Sequence, residues 1–184
     1  RYKEPSPPQM VQLTPGNGTI RLNWKPPAQT YCLNVLGYRI YRGIAADNVI
    51  FRRTLDGDIL EYTESVENGI EYYYQITAVN SIGEGECSIT LTSRGRTSPG
   101  TVSSASVSRI EGGVKLSWKP PEYDGGDPLI GYTIYRSQST IVRIPHVTLP
   151  PEINEYSDFD CADGSYYYYW IGVSNSVGES DLRE

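Results

Sequence analysis

The sequence predicts an all-β protein made of two similar β-sandwiches, and three observations support this. Tyrosine occurs 16 times against 2 phenylalanines and 1 methionine, together with 18 glycines and 13 prolines. Such a composition favours short strands joined by tight turns over long helices. Apolar residues alternate with polar ones in several short segments, as they do in strands that bury one face. An internal repeat spans most of the 184 residues, which indicates two homologous domains.

The repeat consists of three blocks that recur in the same order. The first two blocks are displaced by 94 residues and the third by 95, so one residue has been inserted between them. We therefore predict two domains, at residues 1–97 and 98–184, joined by a short polar linker that contains glycine and proline. The matched segments are Arg21–Pro27 with Lys115–Pro121, Gly37–Arg42 with Gly131–Arg136, and Tyr72–Glu84 with Tyr167–Glu179.

Each unit shows the strands of a sandwich in order. A glycine-rich turn, at 15–18 or 111–113, precedes an alternating strand that two prolines then stop. A third strand follows, and a later tyrosine-rich strand ends at an Asn-Ser-x-Gly turn. About seven short strands in roughly 90 residues is typical of a β-sandwich. The inward residues are expected to be Ile20, Leu22, Trp24, Tyr38 and Ile40 in the first unit, and Val114, Leu116, Trp118, Tyr132 and Ile134 in the second.

These residues resemble the fibronectin type III domain. The resemblance rests on a tryptophan in the second strand, a tyrosine in the third and a tyrosine opening the sixth, and it covers residues 5–93 and 98–184. It implies two immunoglobulin-like sandwiches arranged end to end. It also implies a structural core in which the tryptophan lies between the sheets and the tyrosine hydroxyl bonds to backbone upstream. The residues in these roles are Trp24, Tyr72, Trp118 and Tyr167.

The second unit is shorter than the first at its end. Aligning Gly178 with Gly83 sets Glu184 opposite Ile89, so we expect the last strand of the second domain to be truncated. The chain also begins with Arg1 rather than methionine. Both features suggest two modules taken from a longer chain.

Outward-facing aromatic residues form a candidate interaction surface: Tyr41, Tyr73, Tyr135, Tyr168 and Trp170. Side chains alternate along a strand, and the third strand neighbours the sixth in the fibronectin type III domain. We therefore expect Tyr41 to pair with Tyr73, and Tyr135 to pair with Tyr168 or Trp170.

Two interpretations of these pairs remain open. They either stabilise the sheet by about 0.2 to 1 kcal/mol each or provide a contact surface for glycan rings or another protein. Trp170 is the strongest candidate for contact because its counterpart is the polar Gln75.

Three cysteines leave a disulfide open. Cys32 and Cys87 fall in loops at one pole of the first sandwich, so a bridge between them is sterically plausible and would imply an oxidising compartment. Two reduced thiols are an equal alternative. Cys161 lies in a loop at the opposite pole of the second sandwich, without a partner cysteine in these two units.

Several function classes are not expected. A net charge of -6 and a pI near 4.9 argue against a nucleic-acid partner. No apolar stretch approaches the roughly 18 to 20 residues of a membrane span, so this chain should not insert into a membrane. The single histidine, His146, has no counterpart in the first unit. Since neither a phosphate-binding loop nor a metal cluster with usable spacing is present, we expect no catalysis, no cofactor and no metal.

The resemblance implies non-catalytic adhesion or spacer modules of an extracellular or cell-surface protein. Their partner would be a protein, a glycan or the flanking domains of the parent chain. One alternative is an accessory, carbohydrate-contacting segment of a secreted glycan-active enzyme. The other is a pair of intracellular scaffold modules, because the segment Asp124–Pro128 resembles fibronectin type III modules of giant muscle proteins. The redox state of the cysteines distinguishes the scaffold from the secreted proteins.

Overall fold

The computed structural model describes residues 2–161 and 164–184, which form strands and connecting loops without a helix. The prediction of an all-β fold is confirmed. The chain divides into two compact units, Arg1–Arg96 and Thr97–Glu184. Nowhere in the described part of the chain does a helix have the length and apolar character needed to span a bilayer.

The first unit is a sandwich of two antiparallel sheets. One sheet has the order β1-β2-β5 and the other β4-β3-β6-β7. The third strand pairs with the sixth, as the resemblance to the fibronectin type III domain implies. The strands are β1 (Gln9–Gly16), β2 (Thr19–Lys25), β3 (Gly37–Gly43), β4 (Ile50–Asp56), β5 (Glu61–Ser65), β6 (Glu71–Val79) and β7 (Leu91–Arg94).

The second unit repeats this arrangement with sheets of order β12-β9-β8 and β11-β10-β13. After β13 the chain forms isolated bridges, between Ile171 and Arg183 and between Ser174 and Glu179. The strands are β8 (Ser104–Ile110), β9 (Gly113–Lys119), β10 (Leu129–Ser137), β11 (Ile144–Leu149), β12 (Glu155–Asp158) and β13 (Tyr168–Asn175).

The first hairpin of each unit follows from its turn residues and prolines. Gly18 and Gly112 adopt φ of 66° and 76°, the left-handed conformation that glycine tolerates best. Strand β2 ends at Lys25 and β9 at Lys119, directly before the prolines that cannot donate to the ladder.

The core of each unit lies between its two sheets. An edge-to-face aromatic pair marks both cores: Trp24 with Tyr38, ring centroids 5.3 Å apart, and Trp118 with Tyr132 at 5.4 Å. Each fully buried aliphatic side chain beside them contributes about 1.5 to 3 kcal/mol. Those side chains are Ile20, Leu22, Ile40 and Ile76 in the first unit, and Ile134 and Val173 in the second.

The two tyrosines expected in the structural core differ from each other. Tyr72 packs half-buried against the first core, and the Glu67 N–H donates to its hydroxyl at 3.4 Å, which is the upstream contact expected of it. Tyr167 is half-buried with the Arg136 guanidinium over its ring at 5.1 Å. In the second unit Tyr169 packs against the core.

The asparagine of the Asn-Ser-x-Gly turn forms equivalent side-chain hydrogen bonds in each unit. The Asn80 side chain accepts from the N–H groups of the following turn and donates to the Lys3 carbonyl at 2.7 Å. The equivalent Asn175 accepts in the same way and donates to the carbonyls of Thr97 at 2.7 Å and Asp124 at 2.9 Å. The Asn-Ser-x-Gly turn is therefore tied to the first segment of its own unit.

Candidate interaction surface

A half-buried glutamate, Glu84, in the loop after β6 contacts the outward-facing tyrosine of the first unit, Tyr41. The Tyr41 and Thr77 hydroxyls donate to Glu84 Oε1, each at 2.5 Å, and Arg39 Nη1 lies 2.5 Å from Glu84 Oε2. Burial opposes ionisation of Glu84, but hydrogen bonds from Thr77, Tyr41 and Arg39 outweigh it and lower the pKa of this carboxyl. Burial and Glu84 together raise the pKa of Tyr41. The Tyr41 hydroxyl is thus engaged within the unit.

The second unit repeats this contact with a simpler set of partners. Tyr135 donates to Glu179 Oε2 at 2.7 Å, and burial, then this hydrogen bond, raises the pKa of Tyr135 to about 12. Gly172 stands where the first unit has Thr77, and a Cβ there would lie 2.2 Å from Glu179 Oε1. The glutamate therefore occupies the space that a side chain at position 172 would need.

The aromatic pair expected in the first unit is not the one that forms. The β3–β6 register sets Gln75 opposite Tyr41 and places Tyr73 opposite Gly43, two residues along. Tyr41 instead packs edge-to-face on Phe51 of β4, with ring centroids 6.0 Å apart. Sequence alternation gave the correct face but not the register, which decides which residues meet.

Trp170 requires a correction. It lies directly opposite Tyr135 in the β10–β13 register, but only 2% of it is exposed. The Tyr168 ring stacks against the indole with centroids 6.3 Å apart, and the Arg143 guanidinium covers it at 5.3 Å. Its polar counterpart in the first unit suggested an accessible side chain, but the neighbouring strand and loop bury it. Trp170 is therefore not available to a partner in this structure.

The structure contains no bridge between Cys32 and Cys87, which was one of the two alternatives that the sequence left open. Cys32 and Cys87 are both free and exposed. Cys32 follows Tyr31 in a tight turn in which both residues have positive φ, 53° and 63°, so its backbone direction is set by the turn. Burial, and then Glu84, raises the pKa of the Cys87 thiol. Cys161, also a free thiol, has its Sγ 3.2 Å from Tyr169 Oη.

Each unit exposes an apolar corner that the sequence analysis missed. The corners lie at the starts of the edge strands β4 and β11, where the equivalent residues are Ile50 and Ile144. All of their members are more than half exposed. Exposed apolar side chains on an edge strand are a feature of contact sites. We name the first corner Ile44, Ile50 and Phe51, and the second corner Ile141, Val142 and Ile144.

A buried carboxylate in the first unit was missed as well. Glu64 of β5 accepts a hydrogen bond from the Tyr74 hydroxyl at 2.9 Å. Arg42 Nη1 lies 3.1 Å and Arg52 Nε 3.5 Å from the same carboxylate. Burial, then the Glu64 charge, raises the pKa of Tyr74. Two guanidinium groups therefore compensate one buried acid.

The second unit has a matching cluster around Asp158 of β12, which is fully buried. Arg136 Nη1 lies 2.7 Å from Asp158 Oδ2, and the Tyr169 hydroxyl donates to that oxygen at 2.9 Å. The Asp160 N–H donates to Oδ1 at 2.9 Å, and His146 Nε2 lies 3.5 Å from Oδ2. Burial would raise the pKa of Asp158, but the contacts from Arg136, Asp160 and Tyr169 outweigh it and lower this pKa.

The repeat itself contains the signal that could have identified these clusters. Glu64 and Asp158 are 94 residues apart, as are Arg42 and Arg136. When an acid and an arginine both recur after 94 residues, the repeat indicates that the two side chains form an ion pair in each unit. The described residues, 2–161 and 164–184, hold no group of three or more His, Cys, Asp or Glu side chains suited to a metal ion.

Comparison with known proteins gives relatives over most of the chain. No family model matches it. It is 30% identical to a Kelch domain-containing protein of Saccharolobus solfataricus over 75% of this chain. It is 26% identical to Titin of Drosophila melanogaster over 98% of this chain, and 25% identical to the striated-muscle M-protein of Gallus gallus over 95%. The chain spans 18%, 1% and 12% of the lengths of these relatives.

Two solved structures are also similar. The crystal structure of the chicken CNTN1 FN1-FN3 domains matches 98% of this chain and 64% of that one, at 19% identity and a TM-score of 0.46. A two fibronectin type-III domain segment from chicken tenascin matches 96% of this chain and 95% of that one, at 17% identity and a TM-score of 0.46.

Proposed function

We propose that this tandem pair of fibronectin type III domains is a non-catalytic segment that contacts another protein and spaces neighbouring domains. The observation that supports it most directly is the pair of apolar corners. They share one equivalent residue, Ile50 and Ile144, which begin the edge strands β4 and β11, and their other members are Phe51 of β4 and exposed residues of the preceding loops.

The edge strands give the corners a plausible mode of contact. A partner strand that adds to β4 or β11 would gain main-chain hydrogen bonds, while the exposed side chains of the corner would supply apolar contact. Aliphatic and aromatic side chains buried at the centre of an interface carry most of its affinity. Protein contact is favoured over glycan contact because the corners are largely aliphatic and Trp170 is covered.

A non-catalytic role agrees with the surroundings of the single histidine. His146 Nε2 lies 3.0 Å from the Tyr156 hydroxyl and 3.5 Å from the buried Asp158. His146 is therefore part of the cluster of side chains around Asp158, and it does not act as the general base of a nucleophile. Turnover by the purified chain that is abolished in Asp158→Asn, with folding retained, would refute this part of the proposal.

The corners can be tested with charge substitutions and matched controls. Ile44→Asp and Ile141→Asp place a carboxylate in each corner, while Ile89→Asp and Ile130→Asp do so at similarly exposed aliphatic residues elsewhere. Proteins cross-linked to the tagged chain in its native source are compared by quantitative mass spectrometry. We expect partners to be retained by wild type and both controls and lost with the corner variants. Equal recovery with all five chains would refute the assignment.

The extracellular location that the resemblance implies has no disulfide to support it, since Cys32 and Cys87 are free in the structure. A scaffold role inside the cell is the second candidate. It is favoured by the free thiols and by the similarity to Titin and the striated-muscle M-protein over nearly the whole chain. Alkylation of the native protein before and after reduction separates the two: thiols labelled without reductant support the scaffold, and a Cys32–Cys87 bridge supports secretion.

A further inference from the structure

We propose that the cavity beside the first corner binds an acidic side chain of the partner protein, which Arg52 holds while an adjacent apolar residue of the partner packs on the corner. The inference rests on the proposed protein contact and adds the chemistry that the partner must present. It comes from the charges and the apolar rim of a single cavity in the first unit.

The cavity lies where β3 ends and β4 begins, and its volume is about 220 Å³. Arg42 and Arg52 line it together with Ile44 and Ile50 of the first corner. The Arg42 guanidinium lies over the Tyr72 ring at 4.7 Å, a cation–π contact that holds it against the wall of the cavity. Pockets for small molecules usually measure roughly 300 to 1,000 Å³, so this cavity suits one side chain of a larger partner.

Two guanidinium groups share one carboxylate at this cavity. Arg42 Nη1 lies 3.1 Å from Glu64 Oε2, and Arg52 Nε lies 3.5 Å from Glu64 Oε1. In the described part of the chain neither arginine forms an ion pair with another acid, and Asp47 of the adjoining loop is exposed to solvent. The cavity therefore has one positive charge more than its acids compensate.

Arg52 is the group that can bind a further carboxylate. Its side chain is 40% exposed, whereas that of Arg42 is 17% exposed. The distance of 3.5 Å to Glu64 exceeds the roughly 2.7 to 2.9 Å of a charge-assisted hydrogen bond. Since Nε makes this contact, the two terminal nitrogens of Arg52 can donate in parallel to a second carboxylate.

The apolar rim favours a protein segment over other anions. The same guanidinium would also bind a phosphate or a sulfated glycan, but neither has an apolar part to cover Ile44 and Ile50. These two residues are 75% and 58% exposed. A segment that carries an aspartate or a glutamate next to an aliphatic or aromatic residue is complementary both to the charge and to the rim.

The equivalent cavity of the second unit lacks the spare guanidinium. His146 stands there 94 residues after Arg52, and its Nε2 lies 3.0 Å from the Tyr156 hydroxyl. Arg136 Nη1 lies 2.7 Å from Asp158 Oδ2, so this arginine is matched by an acid of its own unit. An imidazole cannot fork a carboxylate as a guanidinium does. The requirement for an acid therefore applies to the first corner and not to the second.

Selection of random short peptides displayed on phage, with the full chain immobilised, tests the inference. Every chain carries Ile141→Asp, which places a charge in the second corner and leaves the first as the apolar site under test. Arg52→Gln removes the spare guanidinium. Arg53→Gln is the matched control, because this neighbouring arginine of β4 lies over the Tyr62 ring at 5.4 Å.

We expect the parent chain and Arg53→Gln to select peptides with an acid next to an apolar residue. Arg52→Gln should select the apolar residue without the acid. If the parent chain enriches no acid, or if Arg52→Gln enriches it equally, the carboxylate assignment is wrong, although the corner still binds apolar peptides. If Ile44→Asp selects the same peptides as the parent chain, or if no chain enriches any peptide, the proposed function of the corner fails as well.

The strongest selected peptide is then synthesised, and its dissociation constant is measured by fluorescence anisotropy. Replacing its acid with the matching amide should weaken binding to the parent chain about tenfold and binding to Arg52→Gln less than about twofold. The amide peptide also provides a test if Arg52→Gln does not fold: a loss below about twofold on the parent chain refutes the inference. Tighter, Arg52-dependent binding of a heparin fragment would assign the site to a sulfated glycan and overturn it.

Discussion

Replacing the Asp158 carboxylate with an amide should destabilise the second unit more than any other isosteric substitution in its clusters. Asp158→Asn keeps the size of the side chain and one of its two oxygens, so it can accept either from Tyr169 or from the Asp160 N–H, which bind different oxygens of the carboxylate. It removes the charge that compensates Arg136, and the new NH2 group faces a guanidinium that also only donates. The side chain of Arg136 is 21% exposed, so it regains little water.

The magnitude follows from the burial of the pair. Breaking a buried ion pair on one side costs about 3 to 5 kcal/mol, because an uncompensated charge remains. Partial exposure of Arg136 places this case near the lower end, about 3 kcal/mol. That change is roughly a 150-fold increase in the unfolding constant. With a slope of about 1 kcal/mol per M for a domain of this size, the urea midpoint should fall by about 3 M.

Urea denaturation followed by tryptophan fluorescence measures this change, with Glu64→Gln as the counterpart in the first unit. The double substitution Asp158→Asn with Arg136→Met removes both charges and should recover much of the lost stability. A loss below about 1 kcal/mol in Asp158→Asn, or a double variant no better than the single one, would show that the cluster is not held by charge compensation.

Three further outcomes are expected. Gly125→Ala should cost several times more than Gly112→Ala, as measured by thermal unfolding. Both residues have positive φ, but a Cβ at Gly125 would lie 2.1 Å from a backbone oxygen whereas none is near at Gly112. Both units should lose stability in urea as the pH falls from 5 to 3, since the lowered pKa values of Glu84 and Asp158 give stability that protonation removes; an unchanged midpoint would contradict this. Timed alkylation should label Cys87 several-fold faster in Glu84→Gln than in wild type, because the glutamate raises the pKa of the thiol.

Patterns that repeat within the chain predicted most of the fold. Alternation placed Leu22 and Leu116 in the cores, and the glycine turns placed both first hairpins. These features are local, so a few neighbouring residues suffice to predict them. The pairing of Tyr41 could not be found in this way, because the register between β3 and β6 is set by the whole sheet.

The interaction surface was harder to predict than the fold. Alternation along β13 directs Trp170 to the outer face of the sheet, where an exposed residue is expected, but Arg143 of a preceding loop covers it. His146 looked unmatched because its counterpart at the displacement of 94 residues, Arg52, is a different residue type. The alternation of side chains describes one strand at a time, whereas the exposure of a side chain also depends on the loops that cover the strand.

The side-chain hydrogen bonds of Asn80 and Asn175 also affect how each unit withstands mechanical load. Tension applied to the first segment of the second unit would reach the hydrogen bond from Asn175 to the Thr97 carbonyl, while the bond from the same side chain to Asp124 holds it to the loop before β10. At equilibrium each bond is worth only about 0.5 to 1.5 kcal/mol. One side chain donates both bonds, and the N–H groups of the turn after β13 hold that side chain in place. In each unit, the first segment is thus held by a side-chain hydrogen bond from the asparagine of the turn, which must break before that segment can be pulled away.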